Sequence, residues 1–425
     1  MKVDLNVDIH HLTRVEGHGN IRVRVRDGRV EEAAWEIVET PRFFEVMLKG
    51  KHYTSAGILT ARICGICSIG HCLASVRAAE RAFGIVVPET ARKLRLLAKH
   101  GETLQSHLLH LLFLAAPDFL GTPSVLPLIE SRPDLVALAA GLKGLANRMC
   151  DATAGRTTHP VSIQVGGMAR FPDRKVLAAL RGDLEEALPL LDAVVDLFAS
   201  FEMPGFERET EFVSLKGEKD YPWIGGRLLS SDGVDKDEDE YRAMTNEFVD
   251  PRNTSKHCRL SRESFAVGAL ARFNNNHRFL APEALAAAER LGLRPGCCNP
   301  FFFNAAQVVE CVHVARESMT LIDDLLGVPP GTELMIPVEP REGEGVAAVE
   351  VPRGILYHRY EFGADGRVRK ADCVIPTTQN NRNIHHDMAA LAAWMARDGV
   401  TDEEAELLCA MLVRAYDPCI SCSVH

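Results

Sequence analysis

The chain has 425 residues, 46% of them hydrophobic and 25% charged, the balance of a soluble protein with ample material for a core. A formal net charge of -10 and the absence of any dense Lys/Arg run argue against nucleic acid as a partner. No apolar run of about 18 residues is present to span a bilayer, and Met1-Lys2-Val3-Asp4-Leu5-Asn6 lacks the regions of a secretory leader, so a cytoplasmic location is expected.

In chain order, residues 20–38 predict a hairpin: Ile21, Val23 and Val25 alternate with Arg22, Arg24 and Arg26, and Asp27-Gly28 turns the chain into a second extended run. Apolar and small residues recur at helical spacing after Cys67, which places a helix start there. The longest helix is expected over 88–116, opened by Pro88 and ended by Pro117, with Leu94, Leu97, Leu104, Leu108, Leu111 and Leu112 on one face. Within it His107 and His110 share a face, but with His100 they read as packed, hydrogen-bonded imidazoles rather than metal ligands. Further helices fit 134–151, 174–201, 282–291, 304–326, 385–397 and 402–415, and a second extended region spans 346–374 around the Asp365-Gly366 turn. Residues 205–262, with an acidic run at 235–240, predict an irregular solvated excursion or a partner-docking surface. The fold class expected is α+β, a predominantly helical core with small N-terminal and C-terminal-half sheets, as one unit over 1–425. No repeat, P-loop, dinucleotide fingerprint or His-Glu-x-x-His helix is present.

Two Cys-x-x-Cys pairs stand out, Cys64-Gly65-Ile66-Cys67 and Cys419-Ile420-Ser421-Cys422, followed by His71 and His425. A two-residue spacer lets both thiolates face one metal, and two pairs make a four-sulfur site at which the ends of the chain must meet. Spacing alone also fits structural zinc. Against zinc, a chain of this size needs no staple, and Glu16 lies in a polar string, Thr13-Arg14-Val15-Glu16-Gly17-His18-Gly19, that a simple core would not require. The remaining cysteines, Cys72, Cys150, Cys258, Cys297, Cys298, Cys311, Cys373 and Cys409, are scattered and expected to be buried thiols in a reducing compartment.

On these residues the chain resembles the large, catalytic subunit of the nickel-iron hydrogenases. The matching strings are Arg62-x-Cys-Gly-x-Cys-x-x-x-His71, Asp417-Pro418-Cys419-x-x-Cys422-x-x-His425, Thr13 to His18, His159-Pro160 leading to Gly166-Gly167, and Glu350-Val351-Pro352-Arg353-Gly354. Residues 114–120 are most similar to the soluble, cytoplasmic multi-subunit branch. The resemblance implies that family's fold and a nickel-iron centre, with Cys64 and Cys419 as terminal nickel ligands and Cys67 and Cys422 bridging to an iron that carries carbon monoxide and cyanide. It implies heterolytic cleavage of dihydrogen, with the proton taken by Cys419 and relayed by Glu16. Pro352 and Arg353 would lie beside the centre, Asp118 and Asp417 would hold Arg353, His71 would hydrogen-bond a bridging thiolate, and Glu45 and His425 would bind magnesium. A chain ending at His425 matches either a processed form or a gene without an extension. Once the paired cysteines are assigned no Cys-x-x-Cys series remains, so an iron-sulfur partner subunit is implied, with further electron-transfer subunits behind it. A hydrogen-sensing relative and a zinc-stapled or respiratory scaffold subunit are the competing readings.

Overall fold

The computed structural model describes residues 4–425, so Met1, Lys2 and Val3 of the segment read for a leader lie outside the described residues. At the N-terminus β1 (Leu5–Ile9), β2 (Gly19–Arg26) and β3 (Arg29–Ile37) form an antiparallel sheet in that order. Its inner face buries Leu5, Val7, Ile21, Val23, Trp35 and Ile37, while Arg24 and Arg26 point outward. Asp27 and Gly28 have φ of 52° and 75°, the paired positive values that match a two-residue turn to strand twist.

Helix α1 (Ser68–Phe83) starts directly after Cys67, and α2 (Glu89–Leu109) follows. The long helix does not stop at Pro117 as expected. It widens into a π-helical segment, His110–Ala115, and ends in a turn, Ala116–Phe119, whose first residues include Pro117; there the missing proline N–H breaks no bond. Then come α3 (Pro133–Ala154) and α4 (Arg174–Ala199), close to their predicted bounds. Beyond the 205–262 region lie α5 (Ala269–Asn276), α6 (Pro282–Arg290) and α7 (Phe303–Gly327). The C-terminal antiparallel sheet is β4 (Gly343–Val351), β5 (Gly354–Phe362) and β6 (Val368–Val374), covered by α1. Two helices close the chain, α8 (Pro376–Asp398) and α9 (Asp402–Ala415). The mixture of helix and sheet agrees with the α+β expectation.

Two further readings differ from the structure. Residues 205–262 are irregular and exposed in part but carry more buried structure than a solvated excursion: strand Glu211–Leu215 is buried throughout and pairs with Leu228–Ser230 and with Phe265–Ala266. Val213, Leu215, Leu228 and Tyr241 form a second apolar cluster with Val346, Ile355 and Tyr357 of the C-terminal sheet. Within the acidic run Glu238 is buried against Arg77 and Arg81 and Asp235 is paired with Lys216 and Arg227, while Asp237, Asp239 and Glu240 stay exposed. Helix α8 begins at Pro376 rather than 385 because its first turns are polar and buried. Gln379 donates to the Ile355 carbonyl, Asn380 brackets the Val267 backbone and Asn381 donates to Ser255, bonds that remove the cost of burying amides.

Of the unpaired cysteines, Cys297 and Cys298 are half-buried and the others are buried. The helix histidines are packed as expected: His107 bonds Glu310 at 2.7 Å, and His110 reaches Gln307 at 2.6 Å and the Arg414 carbonyl at 2.7 Å. Among the described residues no helix is long and apolar enough to cross a membrane.

Candidate metal centre

The first cysteine pair is shaped by the start of α1. Backbone N–H groups of Ile66 and Cys67 donate to Cys64 Sγ at 3.3 and 3.4 Å, and unpaired N–H groups at a helix start favour thiolate. The second pair lies on a single turn, Ile420–Ser423, where Thr377 Oγ1 of α8 accepts from the Cys419 N–H at 3.0 Å. The polar string around Glu16 straps this segment down. Glu16 pairs with Cys419 as a parallel bridge, and its carbonyl accepts from Ile420 N at 2.9 Å. Its carboxylate takes the N–H of Ser421 at 3.0 Å and the Ser421 hydroxyl. Gly17 makes this approach possible: at φ 89° a Cβ would stand 2.7 Å from that of Ile420. Arg42 then ties the halves together, its Nη2 donating to the Ile63 carbonyl at 2.8 Å and to that of Ser421.

All four sulfurs are buried and lie within 4.8 Å of one another, the only such cluster of metal-ligating side chains among the described residues. Cys64 and Cys419 are 3.5 Å apart and Cys67 and Cys422 3.9 Å apart. These distances are close to the about 3.7 Å that separates thiolates lying about 2.3 Å from a shared tetrahedral metal, whereas the Cys419 and Cys422 sulfurs stand 2.7 Å apart and would have to spread for all four to bind a soft metal. Hydrogen bonds from Cys419, Cys422 and Cys67, together with the Arg353 charge, hold the Cys64 thiol well below its ordinary range. Burial pushes Cys419 and Cys422 up; without a cation the site can carry little of the charge that four thiolates represent.

Arg353 stands over this cluster in the turn between β4 and β5. Burial opposes its charge, but Asp417 and then the Cys419 and Cys64 sulfurs hold it firmly protonated. Its Nε donates to the Asp417 carbonyl at 2.7 Å and its Nη2 to Asp417 Oδ1 at 2.9 Å, while Nη1 is buried with no partner. A buried charged N–H is expensive to leave unpaired, so the orphan donor fits an acceptor supplied by a bound group.

Asp417 therefore meets Arg353, whereas Asp118 meets other guanidinium groups. Asp118 accepts two bonds from Arg414 Nη1 at 2.7 Å each and another from Arg14, and two guanidinium groups that would otherwise be buried without a counter-charge saturate it. His71 is buried behind Cys67, and burial lowers its imidazole to about 4. Its Nδ1 meets His358 Nε2 at 3.2 Å, and His358 Nδ1 meets the Tyr360 hydroxyl at 2.7 Å, a chain the sequence did not announce. His425 Nε2 lies 3.6 Å from Glu45 Oε1, which also accepts from Cys373 N at 2.8 Å. His159 of the His-Pro motif braces the start of α1, its N–H on Ser68 Oγ at 3.0 Å. Thr377, Arg42 and His358 were invisible in sequence because none stands in a motif or apolar period.

A family model described as nickel-dependent hydrogenase matches residues 42–137 and 262–425 of this chain. The chain belongs to the nickel-dependent hydrogenase family. A second model, HoxL-like, matches residues 6–40 of this hydrogenase. It is 35% identical to sulfhydrogenase 1 subunit alpha of Pyrococcus furiosus, over 99% of this chain and 98% of that one. It is 30% identical to the NAD-reducing hydrogenase HoxS subunit beta of Cupriavidus necator, over 98% and 94% of the two chains. A crystal structure of an NAD+-reducing [NiFe]-hydrogenase in the H2-reduced state superposes with a TM-score of 0.88 at 32% identity, covering 99% of each chain. The hydrogenase large-subunit fold and the activity implied by the cysteine motifs thus stand together, and this chain is the catalytic subunit.

Proposed function

We propose that the whole chain, 1–425, works as one unit whose four cysteines hold a nickel-iron centre, Cys64 and Cys419 as terminal nickel ligands and Cys67 and Cys422 as bridges to an iron bearing carbon monoxide and cyanide. The observation that carries the finer reading is the unpartnered, buried Nη1 of Arg353 above four buried sulfurs, a donor suited to an anionic diatomic ligand. When bound, the centre supplies the Lewis acidity and redox capacity for heterolytic cleavage of dihydrogen. Cys419 takes the proton on its sulfur. Glu16, strapped against the Cys419 segment through Ser421, carries it outward. Asp417 fixes the Arg353 guanidinium by two hydrogen bonds, and its own left-handed φ of 48° suits aspartate. Pro352 is assigned a place beside the centre and His71 the hydrogen bond to a bridging thiolate, and Asp118 acts on the centre only indirectly, by holding Arg414 and Arg14.

Magnesium is assigned to Glu45 and His425, with waters completing its shell. Burial opposes charge on Glu45, yet His425 and the Cys373 N–H keep its carboxyl below the usual range. Electrons leave to an iron-sulfur partner subunit, with further electron-transfer subunits beyond it, in the cytoplasm. Elemental analysis with infrared spectroscopy of the purified complex tests the centre. One nickel and one iron per chain with bands from metal-bound carbon monoxide and cyanide is the expected result, and zinc alone refutes it.

A further inference from the structure

Arg353 can meet the centre only if its turn is held in place, and the turn has few backbone bonds of its own. Pro352 and Arg353 are the two residues joining β4 to β5, beyond the last pair of the ladder, Val351 with Gly354. Arg272, on α5 and with no exposed side-chain surface, reaches this turn from behind. Its Nη1 donates to the Val351 carbonyl at 3.0 Å and its Nη2 to the Pro352 carbonyl at 3.1 Å. The other three N–H groups go to carboxylates: Nε to Glu310 at 2.6 Å, Nη2 to Glu310 at 2.7 Å and Nη1 to Glu350 at 3.0 Å. All five donors are used.

The carboxylates are themselves locked. Glu310 accepts from the Tyr221 hydroxyl at 2.7 Å and meets His107 Nε2 at 2.7 Å, and Glu350 accepts from Leu215 N at 2.7 Å. The start of α5 also abuts the turn, since a Cβ on Gly268 would lie 3.1 Å from the Arg353 carbonyl. A buried arginine needing only charge balance would be satisfied by the Glu310 fork. This one spends two donors on the carbonyls that immediately precede Arg353, and a lysine could not reproduce that fork.

We infer that Arg272 is a positioning residue for Arg353, clamping the Val351-Pro352 backbone so that Arg353 Nη1 is held toward the metal centre. The inference rests on the role proposed for Arg353. Misplacement of a reacting-site group by about 1 Å can lower a rate about 100-fold.

The test uses the assembled enzyme and the variants Arg272→Lys, Arg353→Lys and their combination, read by nickel content, cyanide infrared bands and the kcat and KM for hydrogen oxidation. For Arg272→Lys the expected result is nickel content as in the wild type, cyanide bands displaced in the direction seen for Arg353→Lys, and kcat at least tenfold lower at unchanged KM. The combined variant should be within twofold of Arg353→Lys alone, because a clamp has nothing left to position. Wild-type bands and kcat in Arg272→Lys, or losses that multiply in the combined variant, overturn the inference. Should Arg272→Lys fail to accumulate, Glu350→Gln removes the charge from one of its two carboxylate partners with little change in shape; a smaller displacement of the same bands supports the clamp, and unmoved bands overturn it. Failure of the Arg353 role would appear separately, as wild-type bands and rate in Arg353→Lys.

Discussion

Glu16→Gln separates proton exit from assembly of the centre. The carboxylate accepts the N–H and hydroxyl of Ser421; glutamine can keep the N–H bond through its carbonyl and donate to a rotated hydroxyl through its amide. Exchanging two charge-assisted bonds of about 1.5–3 kcal/mol for neutral ones of about 0.5–1.5 kcal/mol costs about 2–3 kcal/mol, less than a total stability of about 5–15 kcal/mol. The variant should fold and retain nickel. Loss of the proton-accepting group is worth about 100- to 10,000-fold in rate, or about 3–5 kcal/mol on the barrier. Dye-coupled hydrogen oxidation and deuterium-proton exchange with solvent should both fall by that factor, while infrared bands still respond to hydrogen. Ser421→Ala, which removes one anchor and leaves the carboxylate, should lose only a few-fold. Near-normal exchange in Glu16→Gln would refute the relay and leave Glu16 as a strap for the C-terminal segment.

Cys419→Ser should abolish nickel retention, because an incomplete thiolate set under-coordinates the metal, whereas Cys298→Ser, at a half-buried free thiol, should leave the nickel content unchanged. Gly17→Ala places a Cβ 2.7 Å from that of Ile420 at a φ of 89°; the C-terminal turn must shift, and elemental analysis should show nickel reduced although the helical circular dichroism is unaltered. His100 and His257 are each lowered to about 4 by burial. The unfolded chain binds protons near pH 6.5 where the folded chain does not, so stability from these groups is full above about 6.5 and lost as pH falls toward about 4. Each contributes at most about 1.4 kcal/mol per pH unit. Urea midpoints should drop between pH 7 and 4.5 and drop less in His100→Asn; a flat profile would contradict the assignment. Without the proposed iron-sulfur partner the chain should reduce dyes with hydrogen far more slowly than the complex, which a rate comparison at equal nickel content checks.

Periodicity carried the long helices because their buried faces are apolar, and the cysteine pairs carried the four-sulfur cluster because thiolate spacing is local chemistry. What escaped depends on partners distant in the chain. Glu238 reads as solvated until Arg77 and Arg81 are placed beside it. The polar opening of α8 reads as a loop because its amides serve the backbones of Val267 and Ile355. Asp118 shows the limit of motif transfer: the residue type matches, but which guanidinium it meets depends on how the π-helical segment delivers it, and Arg414 and Arg14 take it. Arg272 lies in no periodic position that would distinguish a clamp from a surface cation.

The two halves of the sulfur cluster are joined across 355 residues of chain between Cys64 and Cys419, and the Arg42 link to Ser421 spans 379. Contacts of such separation form late in folding, after the loop entropy between them has been overcome. During synthesis Cys64 and Cys67 emerge as an open half-site long before their partners exist. Once the Cys419 turn is seated under Glu16 and Thr377, all four sulfurs are sealed from solvent. Were these cysteines to hold the ions, the open half-site would offer the easiest entry while the last segment is still detached, and a chain that closed empty would present four buried sulfurs instead.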